Sequence, residues 1–220
     1  MRAGSPQDIA IKMLEKLSSK QRLFRILDIG CGNGDVLVQL KRMNIGNELI
    51  EMDADNSLLL KAKKRGIITY NINLDGKILP FSDNYFDCIL LLDVIEHILD
   101  VRKLLKEIKR VLRKGGTLIL STPNVQFIYH IFRLILGYSP KTSFGNSKYF
   151  RSDFIDGGHV HYFTEKDLIK TLKDIGFQII EITGTFNVKN KILSKIMKGT
   201  RKYALLRRYF NPGIVVMVKK

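Results

Sequence analysis

The nine residues Ile26-Leu27-Asp28-Ile29-Gly30-Cys31-Gly32-Asn33-Gly34 constrain the fold of this chain more than any other segment. A short β-rich run stops at three glycines on alternate positions, and a helical pattern over 35–42 follows. Glycines there permit a tight turn and close approach of a ligand to the backbone. The helix that begins beyond them offers amides with no partner inside the helix. Strand, glycine bend and helix in that order make a crossover unit, and crossover units build parallel sheets.

The rest of the chain repeats the pattern. Apolar positions at Ile9, Met13, Leu14 and Leu17 predict an opening helix over 5–18. Strands are expected at 25–29, 48–53, 67–74, 85–92 and 117–121, with a helix over 57–64 between the second and third. The run 85–92 is almost wholly apolar, as suits a strand buried on both faces. A stripe at Val101, Leu104, Leu105, Ile108, Val111 and Leu112 predicts a helix closed by Gly115 and Gly116 as stop and turn. After Pro123, a helix over 125–136 and an irregular insertion over 137–158 are expected. A helix over 164–174 follows, opened by a Thr-x-x-Asp cap, and then strands over 177–183 and 214–218. The helical stretch 127–136 is apolar around most of its circumference, so it should be buried or should meet a lipid-like partner. The fold class is α/β, doubly wound, with a mostly parallel sheet covered on both faces.

At 220 residues the expectation is one domain over 1–220, with a cofactor-binding core over 20–123, an insertion or acceptor lid over 124–163, and a C-terminal helix and strands over 164–220. A composition of 45% hydrophobic and 26% charged residues excludes a mostly disordered chain. No apolar run approaches the ~18–20 residues of a membrane span. The first seven residues lack the apolar stretch of a secretory signal, so a cytoplasmic location is expected. Cys31 and Cys88 lie in apolar segments without metal-ligand spacing and read as reduced, buried thiols. No His-Glu-x-x-His arrangement is present, and no metal is expected. The formal charge of +16 is concentrated late: residues 182–220 hold ten Lys and Arg and no acidic residue. That segment is either a solvated face or a surface for an anionic partner.

Acidic residues close the next two strands. Asp53 stands where α/β nucleotide-binding folds place a carboxylate for ribose hydroxyls, with Ala54 beside it and Glu51 as an alternative two residues deeper. Asp75, next to Leu74, can accept from an adenine amino group or simply form the Asp75-Gly76 turn. A nicotinamide-binding loop would read Gly-x-Gly-x-x-Gly, and here the third glycine comes one residue early.

Four motifs then carry a resemblance. Asp28-Ile29-Gly30-Cys31-Gly32-Asn33-Gly34 resembles the first motif of class I S-adenosylmethionine-dependent methyltransferases, of the type 11 and type 23 kind. The run from Leu79-Pro80-Phe81 to Phe86-Asp87, the segment Asp93-Val94-Ile95-Glu96-His97, and the helix over 104–113 with Gly115-Gly116 are similar to the motifs that follow it in that family. Ser121-Thr122-Pro123-Asn124 and His161 are similar to the branch containing methionine-biosynthesis W-type proteins. The resemblance implies a seven-stranded Rossmann-like sheet with an antiparallel last strand, and S-adenosylmethionine as cofactor with S-adenosylhomocysteine as product. It implies that Asp28, Gly30, Cys31, Gly32 and Gly34 hold the methionine end. It further implies that Asp53 and Ala54 hold the ribose, Leu74 and Asp75 the adenine, and that Leu92 and Asp93 border the sulfonium.

For the acceptor, Gly157-Gly158-His159-Val160-His161-Tyr162-Phe163 supplies the candidate bases His161 and His159, which share a face if the run is extended. Asp93, Glu96 and His97 form a second polar group, expected at the cofactor side or as a cap. Phe127, Tyr129, Phe132, Tyr138, Phe144, Tyr149, Phe150 and Phe154 could wall an apolar pocket. The expected acceptor is a small molecule that can carry an apolar portion, and peripheral contact with a membrane is compatible with it. The alternatives are RNA or protein methylation through the basic C-terminal segment, and a non-catalytic cofactor-binding partner subunit.

Overall fold

The computed structural model of the chain describes residues 2–30, 32, 34–74, 77–142, 158–186 and 190–220. It opens with α1 (Pro6–Ser18), where Ser5 accepts from the Asp8 amide and Pro6 fills the first turn. The chain then alternates β1 (Arg25–Ile29), α2 (Asp35–Arg42), β2 (Glu48–Asp53), α3 (Asn56–Lys64), β3 (Ile68–Asn71) and β4 (Phe86–Leu92). A single 3-10 turn (Ile95–His97) leads to α4 (Val101–Val111) and β5 (Leu112–Pro123). The remaining elements are α5 (Ile128–Ile135), α6 (Glu165–Asp174), β6 (Gln178–Gly184), α7 (Lys191–Thr200), α8 (Ala204–Phe210) and β7 (Gly213–Lys219).

The strands form one sheet of order β3-β2-β1-β4-β5-β7-β6. The first five run parallel, and β7 runs antiparallel to both β5 and β6. This is the doubly wound architecture expected, with β7 as its reversed strand. Every residue of β4 is buried, and its alternation feeds two cores. Ile89 and Leu91 face the layer of α4 and α6, while Cys88, Leu90 and Leu92 face α1 and α2. The α4 stripe is buried at Val101, Leu104, Leu105, Ile108 and Val111, each worth roughly 1.5–3 kcal/mol of transfer free energy.

Several expectations are corrected. Strand β3 is only Ile68–Asn71 and mostly exposed, because it is the sheet edge. Helix α4 ends at Val111, and Gly115-Gly116 lie inside β5, where Gly115 takes φ 70° next to a register shift against β4. Helix α5 is not buried: only His130 among its residues is, while Phe132, Ile135 and Leu136 are 59, 73 and 70% exposed. Helices α7 and α8 occupy a stretch for which the sequence suggested no element.

Strand order reverses between β1 and β4, so the carboxyl ends of these strands flank the crevice where open α/β sheets take ligands. The antiparallel β7 starts at that same edge, with Gly213 beside Pro123, and so delivers α8 there. Asn124 donates to the carbonyls of Arg208 (2.7 Å) and Asn211 (2.9 Å), and Asn211 donates to those of Thr185 (2.8 Å) and Met197 (3.1 Å). These bonds tie the start of the α5 segment, α7, α8 and the end of β6 into one cap on the carboxyl edge.

Candidate functional site

The glycine bend closes the edge over β1 and β2. The Gly30 amide donates to Met52 O (2.7 Å), which continues the ladder to β2. Gly30 takes φ 69°, and a Cβ there would overlap Val94. Gly34 takes φ 71° at the N-cap of α2, and a Cβ there would overlap the Glu51 carboxylate. Gly32 differs, because a Cβ built on it meets nothing within 4 Å. Among the described glycines of the bend, Gly32 is the one whose Cα side is not filled by a neighbouring side chain.

Three carboxylates gather beneath. Asp28 and Glu51 are buried, and Asp53 is half-buried at the tip of β2. Asp53 accepts from the amides of Gly32 (3.1 Å) and Asp55 (2.9 Å), which fixes it against the bend. Asn71 donates to Asp53 O (3.2 Å) and Ala54 O (2.9 Å), placing exposed Ala54 beside it. Burial, followed by the charges of Glu51 and Asp53, holds the Asp28 pKa well above the ordinary carboxylate value. Asp28 is thereby biased toward its neutral form by the neighbouring carboxylates, a crowding that a cationic ligand would relieve. S-adenosylmethionine carries an ammonium, a sulfonium and a ribose diol, so the open space at Gly32 and this acidic set fit it. Cys31 and Asp75 lie outside the described residues; Leu74 is half-buried against the α4 core, and Leu92 is buried.

A second group forms past β4. Asp93 takes φ 55°, its amide donates to Ser121 O (3.1 Å), and its carboxylate accepts from Ser121 Oγ (2.7 Å). Enclosure of that carboxyl raises its pKa, opposed by the Ser121 hydroxyl and by His97. Glu96 is 1% exposed, and Thr122 Oγ1 donates to its Oε2 (3.0 Å). Burial and then the Asp93 charge push its pKa up to about 8. His97 Nδ1 faces Gly158 O (3.2 Å), its ring meets that of His159 edge to face at 4.7 Å, and His159 Nδ1 is 2.6 Å from Thr142 Oγ1.

The two candidate bases thus occupy different settings. His159 joins Glu96 and His97, whereas His161 Nε2 is 3.4 Å from Leu99 O. His161 also lines a cavity of about 330 Å³ with Leu99, Arg102, Phe163 and Thr171, and none of the glycine-bend residues lines it. Phe144, Tyr149, Phe150 and Phe154 of the expected pocket wall lie outside the described residues. Sequence spacing did not associate His159 with Glu96 and His97, since only the fold brings the two segments together. The amides of Val160 (2.9 Å) and His161 (3.1 Å) both donate to Glu96 O and make that junction.

Among known proteins, a family model described as a methyltransferase domain matches residues 4–182. The ubiquinone/menaquinone biosynthesis C-methyltransferase UbiE of Pectobacterium atrosepticum is 36% identical over 111 residues, which cover 47% of this chain and 44% of that protein. The chain thus matches less than half the length of such curated relatives. An S-adenosylmethionine-dependent methyltransferase from Archaeoglobus fulgidus superposes with a TM-score of 0.65 at 16% identity, covering 97% of this chain and 94% of that one. The N-methyltransferase NodS from Bradyrhizobium japonicum, in complex with S-adenosyl-L-homocysteine, gives 0.60 at 14%, covering 98% and 88%. At these identities the solved structures share the fold.

Proposed function

The chain belongs to the S-adenosylmethionine-dependent methyltransferase family, and on that premise we propose that it methylates a small molecule with an apolar portion. When bound, S-adenosylmethionine supplies a methyl group already activated on sulfur. The chain's own contribution is to bind, orient and exclude water. In this reading Gly30, Gly32 and Gly34 present backbone to the methionine end, and Asp28 offsets its positive charge. Asp53 and Ala54 hold the ribose, Leu74 and Asp75 flank the adenine, and Leu92 and Asp93 border the reacting end.

The acceptor side rests on one observation. Helices α5, α7 and α8, tied together on the carboxyl edge, leave large apolar side chains uncovered, among them Ile135 (73% exposed), Ile192 (75%) and Leu205 (64%). Apolar surface of that kind lines the approach to a pocket for an apolar ligand. A relative named for ubiquinone and menaquinone biosynthesis supports an acceptor of that character. The Glu96–His97–His159 group supplies the polar end.

Methylation of RNA or protein gains less support. Of the ten C-terminal cations, Arg207 and Arg208 are spent on Glu165, and Lys220 on Asn84 and the carbonyls of Arg110 and Leu112. The test is methyl transfer from labelled S-adenosylmethionine to a cell extract split into lipid-soluble, RNA and protein fractions. Label in the lipid-soluble fraction is the expected result. Label confined to RNA or protein would overturn the acceptor class, and absence of transfer with retained S-adenosylhomocysteine binding would favour a partner-subunit role.

A further inference from the structure

One carboxylate oxygen of Glu96 and one ring nitrogen each of His97 and His159 lie within 4.8 Å of one another, the kind of convergence a metal ion needs. The geometry points to a divalent transition-metal site held by Glu96, His97 and His159 beside the carboxyl edge of the sheet. Two imidazoles and a carboxylate suit zinc and its first-row neighbours, and three protein ligands leave coordination positions for water or for an oxygen-bearing ligand.

The surroundings of each donor support the assignment. A carbonyl can only accept, so His97 Nδ1, 3.2 Å from Gly158 O, carries the proton, and the ring's lone pair lies on Nε2. Metal-binding histidines are oriented in this way, by a hydrogen bond from the nitrogen that does not ligate. Thr142 Oγ1 lies 2.6 Å from His159 Nδ1; a hydroxyl can donate or accept, so His159 ligates through Nε2 in the tautomer that protonates Nδ1. Thr122 Oγ1 donates to Glu96 Oε2 at 3.0 Å, which orients the carboxylate that contributes the oxygen.

The backbone holds the two ligand segments together, through the bonds from Val160 and His161 to Glu96 O. Glu96 is 1% exposed while both histidines are half-buried, so the carboxylate end of the group is enclosed and the imidazoles are partly reached by solvent. A cation there also sits near a second carboxylate, Asp93, three residues before Glu96. Binding draws the donors to about 2.0–2.2 Å from a common centre, a movement open to half-buried imidazoles. The binding does not depend on the methyltransferase reading; only its use by an acceptor would.

The test strips the full chain with a chelator and titrates it with Zn²⁺ by calorimetry and with Co²⁺ by visible absorption. One ion per chain is expected, with bands of nitrogen and oxygen ligation for Co²⁺. His97→Ala and His159→Ala should each weaken binding by at least roughly tenfold to a hundredfold, since loss of a partner that merely orients a ligand already costs that much. The chain has four histidines, so Co²⁺ broadening of imidazole proton signals in the unaltered protein gives a readout that needs no variant. Broadening centred on His97 and His159 supports the site. No saturable binding, broadening centred on His130 or His161, or unchanged affinity in both variants would overturn it.

Discussion

Gly34 and Asp87 show how much a single position decides. At Gly34 the backbone is left-handed and Glu51 occupies the space a side chain would need. Gly34→Ala should cost about 1–2 kcal/mol in backbone strain alone, and displacement of Glu51 should weaken S-adenosylhomocysteine binding in a calorimetric titration. Normal affinity would mean that the bend does not hold the cofactor. Asp87 accepts from the amides of Phe24 and Arg25 (2.9 Å each) and from Arg113 Nε. Burial alone would raise its pKa, but the Arg25 amide, the Arg113 guanidinium and the Phe24 amide outweigh it and lower the value. A depressed folded-state pKa contributes stability above the unfolded value of ~3.9 and loses it as pH falls through the folded one. Asp87→Asn should therefore destabilise by about 1.5–3 kcal/mol at pH 7, and the gap between the two denaturation curves should shrink as pH falls below ~4. A pH-independent gap would refute this. Asp28 and Asp53 were legible in the sequence because a strand and its tip are local features. The meeting of His159 with His97 was not, because it depends on how the segment after α5 returns across the edge.

Elements were legible where periodicity and burial agree. The run 86–92 is apolar apart from Asp87 and buried throughout, and the α4 stripe is the buried stripe. Helix α5 divides the two: its apolar circumference called for burial or a lipid-like partner, and it lies exposed on the surface of the edge cap, so burial is excluded. Helices α7 and α8 were missed because each is short and basic, and the buried side chains found on them are Met197 on α7 and the charged Arg207 on α8. What fixes α8 is a long-range pair that no local pattern announces. Arg207 makes a two-pronged contact with Glu165 at the start of α6, at 2.7 and 3.0 Å, with both side chains almost fully enclosed. Arg207→Ala leaves the buried Glu165 carboxylate with only the Arg208 contact at 3.2 Å and should cost up to about 3–5 kcal/mol, seen as a lower denaturation midpoint. A shift no larger than that of an exposed pair such as Lys12–Asp8 would show that α8 is held by other contacts.

Across the whole molecule, charge and apolar surface coincide. The formal +16 is weighted toward the C-terminal segment, whose helices α7 and α8 share the edge cap with α5 and its uncovered apolar side chains. An apolar acceptor taken from a membrane implies that this cap meets anionic headgroups. Sedimentation with vesicles containing phosphatidylglycerol should exceed that with neutral phosphatidylcholine vesicles, and should weaken as salt rises and the screening length falls to about 8 Å near 0.15 M. Equal sedimentation with both vesicle types would discount the charge. The antiparallel β7 carries a different consequence. It fills the slot between β5 and β6, so a nascent chain leaving the ribosome holds β6 without a neighbour until residues 213–219 emerge. Strands β1, β2 and β4 can assemble during synthesis, while the far edge of the sheet, β7 and β6, waits for residues 213–219 to emerge.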